Sequence, residues 1–214
     1  TLTLLVDIAT RVVPGFYISL ESPSATSVAM AIRQAVLPKD PWLADRDLTL
    51  VWPVHGLPDV LHLDNASEFH SRALTRGCQQ YGIKLQYRPR RTPHYGGHIQ
   101  RVIRTTGGGG HLPPGTAISR VKDKGGYHPE GQARMTLPEF ERWFALQVAI
   151  YHGTVHSALG VPPLTAWHNF LGSRPVPLRL PVQPERFLLD FLPFEMRRVR
   201  RDGIELFHVF YWHG

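Results

Sequence analysis

Apolar residues recur along this chain with two periods, and the switches between them mark where strands and helices are expected. Leu2, Leu4, Leu5 and Val6 form one apolar run, and Val12, Val13, Phe16, Ile18 and Leu20 form a second; the turn at residues 8–11 makes them an antiparallel hairpin. Ser24 then precedes Val28, Ala31, Ile32 and Ala35 at helical spacing, which predicts a helix over 25–37 with Ser24 as its N-cap and Pro38 as its stop. A connector punctuated by Pro41-Trp42, Trp52-Pro53, Gly56 and Pro58 leads to a short strand containing Val60, Leu61 and Leu63, ended by the turn-forming pair Asp64-Asn65. Phe69, Ala73, Leu74 and Cys78 predict a helix over 68–81, closed by Gly82, and residues 83–87 read as the next strand.

The second half is less regular. A helix starting near Gly97 carries Gln100, Arg101 and Arg104. Gly107 to Gly110 reads as a linker; a phosphate cradle would need a Lys-Ser/Thr after the glycines, and none follows. Residues 111–134 are Gly/Pro-rich and read as an exposed insertion. Thr136 with Pro138 and Glu139 is a capping box opening a helix through Phe140, Trp143, Phe144, Leu146, Val148 and Ile150. After Gly172 come Pro175, Pro177, Pro181 and Pro184, then a basic block from Arg197 to Arg201, and residues 204–212 alternate as one strand. The element order is that of an α/β domain over 1–172, followed by a Pro-rich linker over 173–196 and a basic segment with a strand over 197–214.

Composition narrows the partner. With 43% hydrophobic and 19% charged residues the chain is ordinary globular material, but its formal net charge is +7 and its pI about 9.9. Between Phe69 and Lys122 there is no Asp or Glu. Arg88, Arg90, Arg91, His94, Arg101 and Arg104 crowd that window, and Arg197, Arg198, Arg200 and Arg201 form a second group. Either group suits the phosphates of DNA; the alternative is a solvated basic face, and a steep loss of affinity with salt separates the two. A lone Cys78 excludes a disulfide framework and a Cys-based zinc site, and fits a buried thiol in a reducing cytoplasm. No apolar run reaches membrane-span length and no signal peptide is visible. The chain starts at Thr1 without a methionine and ends within the last expected strand, so it reads as a fragment.

Three segments resemble a known family: His62-Leu63-Asp64-Asn65 with Ser67-Glu68-Phe69, the stretch from Tyr81-Gly82-Ile83 to Gly96-Gly97-His98-Ile99-Gln100-Arg101, and Tyr151 with His156-Ser157-Ala158-Leu159-Gly160-Val161-Pro162-Pro163. They are similar to the catalytic core of DDE transposases and retroviral-type integrases, most of all to bacterial transposases related to that of phage Mu. The resemblance implies a ribonuclease-H-like mixed sheet flanked by helices, with the first central strand lying upstream of Thr1, and then a small β-barrel whose first strand is residues 204–212. It implies joining of DNA ends by metal-dependent strand transfer, with Mg²⁺ or Mn²⁺ as cofactor, transposon ends and target DNA as partners, assembly with sister copies, no membrane, and a cytoplasmic, DNA-associated location.

The family holds its metals on three acidic residues, and here the resemblance leaves only Asp64. The first belongs to the strand upstream of Thr1, and the third position, in the family's Gly-x-x-Glu-Arg, is Gln100. Two divalent ions need several converging carboxylates, and a glutamine contributes an uncharged carbonyl oxygen. The expected catalytic positions are therefore Asp64 and Gln100, with Asp64 as the metal ligand, binding weak or absent, and strand transfer lost in this chain. The alternative function is a non-catalytic module that binds DNA or assembles subunits. Among possible substitutes, Asp7 reads as a turn residue or partner of Arg11, Glu68 as a solvated or capping carboxylate, His94 and His98 as loop histidines near phosphate, and His152 and His156 as packing or capping groups.

Overall fold

The computed structural model describes residues 1–64, 67–87, 135–174 and 177–212, with the side chains of Ser67 and Glu68 left aside. Strands β1 (Leu2–Leu5) and β2 (Gly15–Ile18) pair antiparallel with Leu2 opposite Ile18 and Leu5 opposite Gly15, the expected hairpin. Its connection turns at Asp7, whose Oδ2 accepts from the Thr10 amide at 2.7 Å and the Thr10 hydroxyl at 2.6 Å. The Arg11 amide donates to the Asp7 carbonyl at 3.0 Å. Asp7 is thus a turn residue, and its carboxylate serves Thr10.

Helix α1 (Ala25–Val36) starts where Ser24 caps it: the Ser24 hydroxyl accepts from the Ser27 amide, and the Ser27 hydroxyl accepts from the Ser24 amide. The helix lies on one face of the hairpin at close range. A Cβ on Gly15 would sit 2.5 Å from the Ala35 amide nitrogen and 2.9 Å from the Ala31 carbonyl, so only glycine permits this approach. The other face of the hairpin belongs to the first core, where Val12, Val13, Phe16 and Ile18 meet Trp52, Phe144, Val148 and Tyr151. Phe16 is its centre, stacked on Trp52 at 5.8 Å and edge-on to Phe144 at 4.7 Å and Trp42 at 5.6 Å. Trp42 and the buried Leu43 sit on a short helix α2 (Asp40–Ala44) inside what the sequence suggests is plain connector; Pro41 in its first turn is compatible with a helix start.

The second core lies between α1 and the Asp64 region. Strands β3 (Val60–Leu63) and β4 (Lys84–Tyr87) pair parallel, Leu63 opposite Tyr87. The single helix expected over 68–81 is in fact a 3₁₀ turn (Ser67–His70) followed by α3 (Arg72–Gln80). Ser71 makes the break: its hydroxyl accepts from the Leu74 amide at 3.1 Å, restarting the helix as an N-cap. Val28, Ile32, Val36, Leu63, Leu74, Cys78 and Ile83 fill this core.

Helix α4 (Leu137–Gly153) opens at the expected Thr136–Glu139 capping box and lays Phe144, Ala145 and Val148 into the first core, followed by α5 (Pro163–Ser173). The Pro-rich stretch then behaves differently from a bare linker. Helix α6 (Pro184–Phe191) inserts Phe187 and Phe191, 0% and 1% exposed, into the second core against α3. Its Asp190 accepts from the Gln80 amide group and the Tyr81 hydroxyl, both at 2.8 Å. Ahead of it, Arg179 donates to the carbonyls of Pro58 and Tyr81 and to Asp59 Oδ1, tying the start of β3 to the α3–β4 turn. Prolines at 181 and 184 delimit the strap, but the apolar Phe187 and Phe191 give it something to bury.

The last segment also differs from expectation. Residues 204–212 form two strands, β5 (Ile204–Leu206) and β6 (Val209–Tyr211), paired antiparallel with Leu206 opposite Val209. Phe207 and His208 reverse the chain at φ 53° and 62°, the positive-φ pair of a tight hairpin turn. Arg200 and Gly203 add a bridge on the far side. Among the described residues the hydrogen-bonded sheets are these three pairs, β1-β2, β3-β4 and β5-β6, and none of them closes into a barrel.

Candidate nucleic-acid interface

Because β3 and β4 run parallel, their C-terminal ends emerge at one edge. Asp64 follows Leu63 there and is exposed. Tyr87, the register partner of Leu63, is the residue from which the chain enters the basic stretch, at the edge that carries the carboxylate. Arg88 itself, with Arg90, Arg91, His94, His98, Gln100, Arg101 and Arg104, lies outside the described residues. The end of β4 is tied to the 3₁₀ turn that follows β3. The Tyr87 hydroxyl donates to the Phe69 carbonyl at 2.9 Å, and the exposed His70 ring stacks on Tyr87 with centroids 4.4 Å apart and planes 11° from parallel. Burial pushes the Tyr87 phenol above its ordinary pKa, so it stays a donor at neutral pH. His70 and Tyr87 carry no local signal in the sequence; only the parallel pairing brings them together.

The second basic group is described in full. Arg197, Arg198, Arg200 and Arg201 are all exposed. Arg197 donates to Glu195 at 2.9 Å. Arg197, Arg198 and Arg200 line an open depression of about 410 Å³ together with Glu205, Phe207 and His208.

A metal pair makes definite demands on the side chains. Among the described residues no three of His, Cys, Asp and Glu come together as a metal site would require. A divalent-ion pair held by oxygen needs more than the carboxylate of Asp64. Among the described residues, Asp64 by itself does not fit such a pair.

His152, His156 and Cys78 have structural roles, while the side chain of Glu68 lies outside what is described. His152 is 2% exposed and its Nε2 accepts from the Val13 amide at 2.8 Å, while Trp52 Nε1 donates to the Val13 carbonyl at 3.0 Å and the Tyr151 hydroxyl to the Arg11 carbonyl at 2.9 Å. The Tyr151-His152 pair thus clamps the hairpin connection onto α4. Burial drives the His152 imidazole down to about 4, which keeps it neutral and able to accept. His156 closes its own turn, its Nδ1 accepting from the Ala158 amide at 3.2 Å. Cys78 is fully buried, and burial pushes its thiol up to about 12, an inert group. Lys39 has no counterpart among the sequence-derived candidates. It is 1% exposed, and its Nζ donates to the Ala35 and Leu37 carbonyls at 3.0 and 2.9 Å, satisfying the C-terminal end of α1. Burial lowers it to about 7.

Residues 1–115, more than half of the chain, match the family model of the TnsB C-terminal domain, and the chain belongs to that family. It is similar to the transposase for transposon Tn552 of Staphylococcus aureus, 25% identical over 211 residues that cover 95% of this chain and 39% of the relative. It is also similar to the transposon Tn7 transposition protein TnsB of Escherichia coli, 30% identical over 108 residues, 49% of this chain and 15% of the relative. The chain therefore spans well under half the length of either. The motif resemblance holds at the level of a transposase family. No described helix is long and apolar enough to cross a membrane.

Proposed function

We propose that this chain is part of the core of a DDE-type transposase, close to the Mu-like enzymes, which engages DNA and assembles with sister copies but does not itself join strands. One observation carries the reading: the TnsB-domain match over 1–115 spans both Asp64, at the end of a parallel strand, and Gln100, at the position where the resembling family has its glutamate. In this reading the β1-β2 hairpin and the β3-β4 pair are parts of one ribonuclease-H-like mixed sheet, and the strands after Arg197 begin a small β-barrel. DNA suits the charge. The relatives are named for transposition, and the acid-free basic window starts a few residues after Asp64.

The loss of strand transfer rests on a count of carboxylates. Mg²⁺ or Mn²⁺ would supply the Lewis acidity of such a reaction, and Gln100 offers a neutral amide where a carboxylate is needed to hold it. Binding to phosphate by the arginines is independent of that loss. The test is a gel assay with Mg²⁺ or Mn²⁺ and a transposon-end DNA, run on the chain, on Asp64→Asn, on Gln100→Glu, and on Gln100→Glu with Asp64→Asn, alongside DNA binding by fluorescence anisotropy. The expected result is binding by all four and no strand transfer by the unmodified chain. Strand transfer by the unmodified chain that disappears with Asp64→Asn alone would overturn the carboxylate count.

A further inference from the structure

The turn between β5 and β6 is built from the wrong residues for its shape. Two-residue hairpin turns with positive φ at both positions favour Asn-Gly or Asp-Gly, because a bulky side chain there crowds its own backbone. Here the pair is Phe207-His208, at φ 53° and 62°. The Phe207 ring gains nothing from burial to offset that strain, since it is 80% exposed. A strained position holding an aromatic ring in solvent is a reason to look for what the ring meets. Phe207 shares the lining of an open depression of about 410 Å³ with Arg197, Arg198 and Arg200. Glu205 also lines it, with its carboxylate 3.9 Å from His208 Nδ1.

We infer that this depression is a binding site for an unpaired nucleotide of single-stranded DNA, with the phosphodiester held by Arg198 and Arg200 and the base stacked on Phe207. The inference rests on the DNA-binding reading above and goes further in naming the form of DNA. Arginines beside an exposed ring are the two parts of a single-strand site: cations follow the backbone, and the ring takes any base by its flat face. A duplex offers the cations its phosphates but keeps its base faces stacked, and would leave Phe207 without a role. At about 410 Å³ the depression falls in the size range of small-molecule sites.

The experiment is fluorescence anisotropy on the full chain with a labelled single strand of about 15 nucleotides and with the matching duplex. Phe207→Asn is the main variant, because Asn accepts positive φ and preserves the turn while removing the ring; Phe207→Trp retains a ring, and Arg198→Ala with Arg200→Ala removes the cations. Phe207→Asn should weaken single-strand binding by about fivefold or more and leave duplex binding within about twofold, with Phe207→Trp binding the single strand as the parent does. The double arginine variant should weaken both forms. Equal losses for single strand and duplex in Phe207→Asn, or no loss in either, would overturn the nucleotide site while leaving DNA binding intact. A chain that binds neither form would overturn both readings.

Discussion

His152 makes acid sensitivity a quantitative test of how the hairpin is anchored. Its ring accepts from the buried Val13 amide, so the folded protein needs the neutral imidazole, and burial holds its pKa at about 4 against an ordinary 6.5. Between those values the unfolded chain binds the proton and the folded chain does not. Stability is therefore complete above about pH 6.5 and falls as the pH drops towards 4. A tenfold difference in proton affinity is worth about 1.36 kcal/mol, so this one group removes roughly 3 kcal/mol across the window. That is a large part of the roughly 5–15 kcal/mol typical of a domain. The perturbation is His152→Gln, whose side-chain carbonyl can accept from Val13 but does not titrate. Urea unfolding followed by tryptophan fluorescence, at intervals from about pH 7.5 to 4, measures it. Trp52 lies edge-on to His152 at 6.2 Å and reports locally. Carboxylate titrations are common to both proteins, so the difference between the two curves isolates His152. The variant should lose about 3 kcal/mol less than the parent on acidification. Parallel curves would mean that His152 is not held neutral and that the clamp on Val13 is misassigned.

Lys39 acts on the alkaline side. Burial lowers it from 10.5 to about 7, so the unfolded chain holds the proton more tightly over that window and stability should rise with pH across it, by up to about 5 kcal/mol. Lys39→Met should flatten the rise, measured by urea unfolding at about pH 7 and 9.5; an unchanged slope would refute the assignment. Gly15→Ala should destabilise by about 3 kcal/mol or more, because its Cβ would meet α1 backbone at 2.5 Å; a melting temperature equal to the parent's would contradict that packing. Asp190→Ala strips the Gln80 and Tyr81 side chains of a shared acceptor and should cost about 2 kcal/mol and loosen the strap, seen as faster amide exchange at 184–191.

The parts of the fold legible in the sequence are those with local causes. Ser24 and the Thr136–Glu139 box place two helix starts, and the apolar runs place the first hairpin, because a cap or a strand-length run beside a turn needs no distant partner. What stays hidden depends on contacts across the chain. The prolines around 181 and 184 suggest a linker, yet Phe187 and Phe191 are drawn into a core completed by α1 and α3. Phe207-His208 lacks any turn chemistry, so the alternation predicts one strand where two form. At the candidate site, Asp64 is legible from its place at a strand end. The His70–Tyr87 stack beside it is not, since that contact depends on parallel pairing of β3 with β4. Lys39 is invisible for the same reason: nothing local says that a lysine after a helix will be buried.

The proposed grip of this transposase-family chain on DNA works through its arginines, independently of any catalytic metal. Its most direct test is the affinity of the chain for a short duplex, measured by anisotropy over a series of salt concentrations in EDTA. Binding carried by phosphate contacts should weaken along a straight line of log affinity against log salt. The slope should become shallower by about 0.9 for each of Arg88, Arg90 and Arg91 that is replaced by alanine. A slope near zero, or one that these replacements leave untouched, would contradict the account.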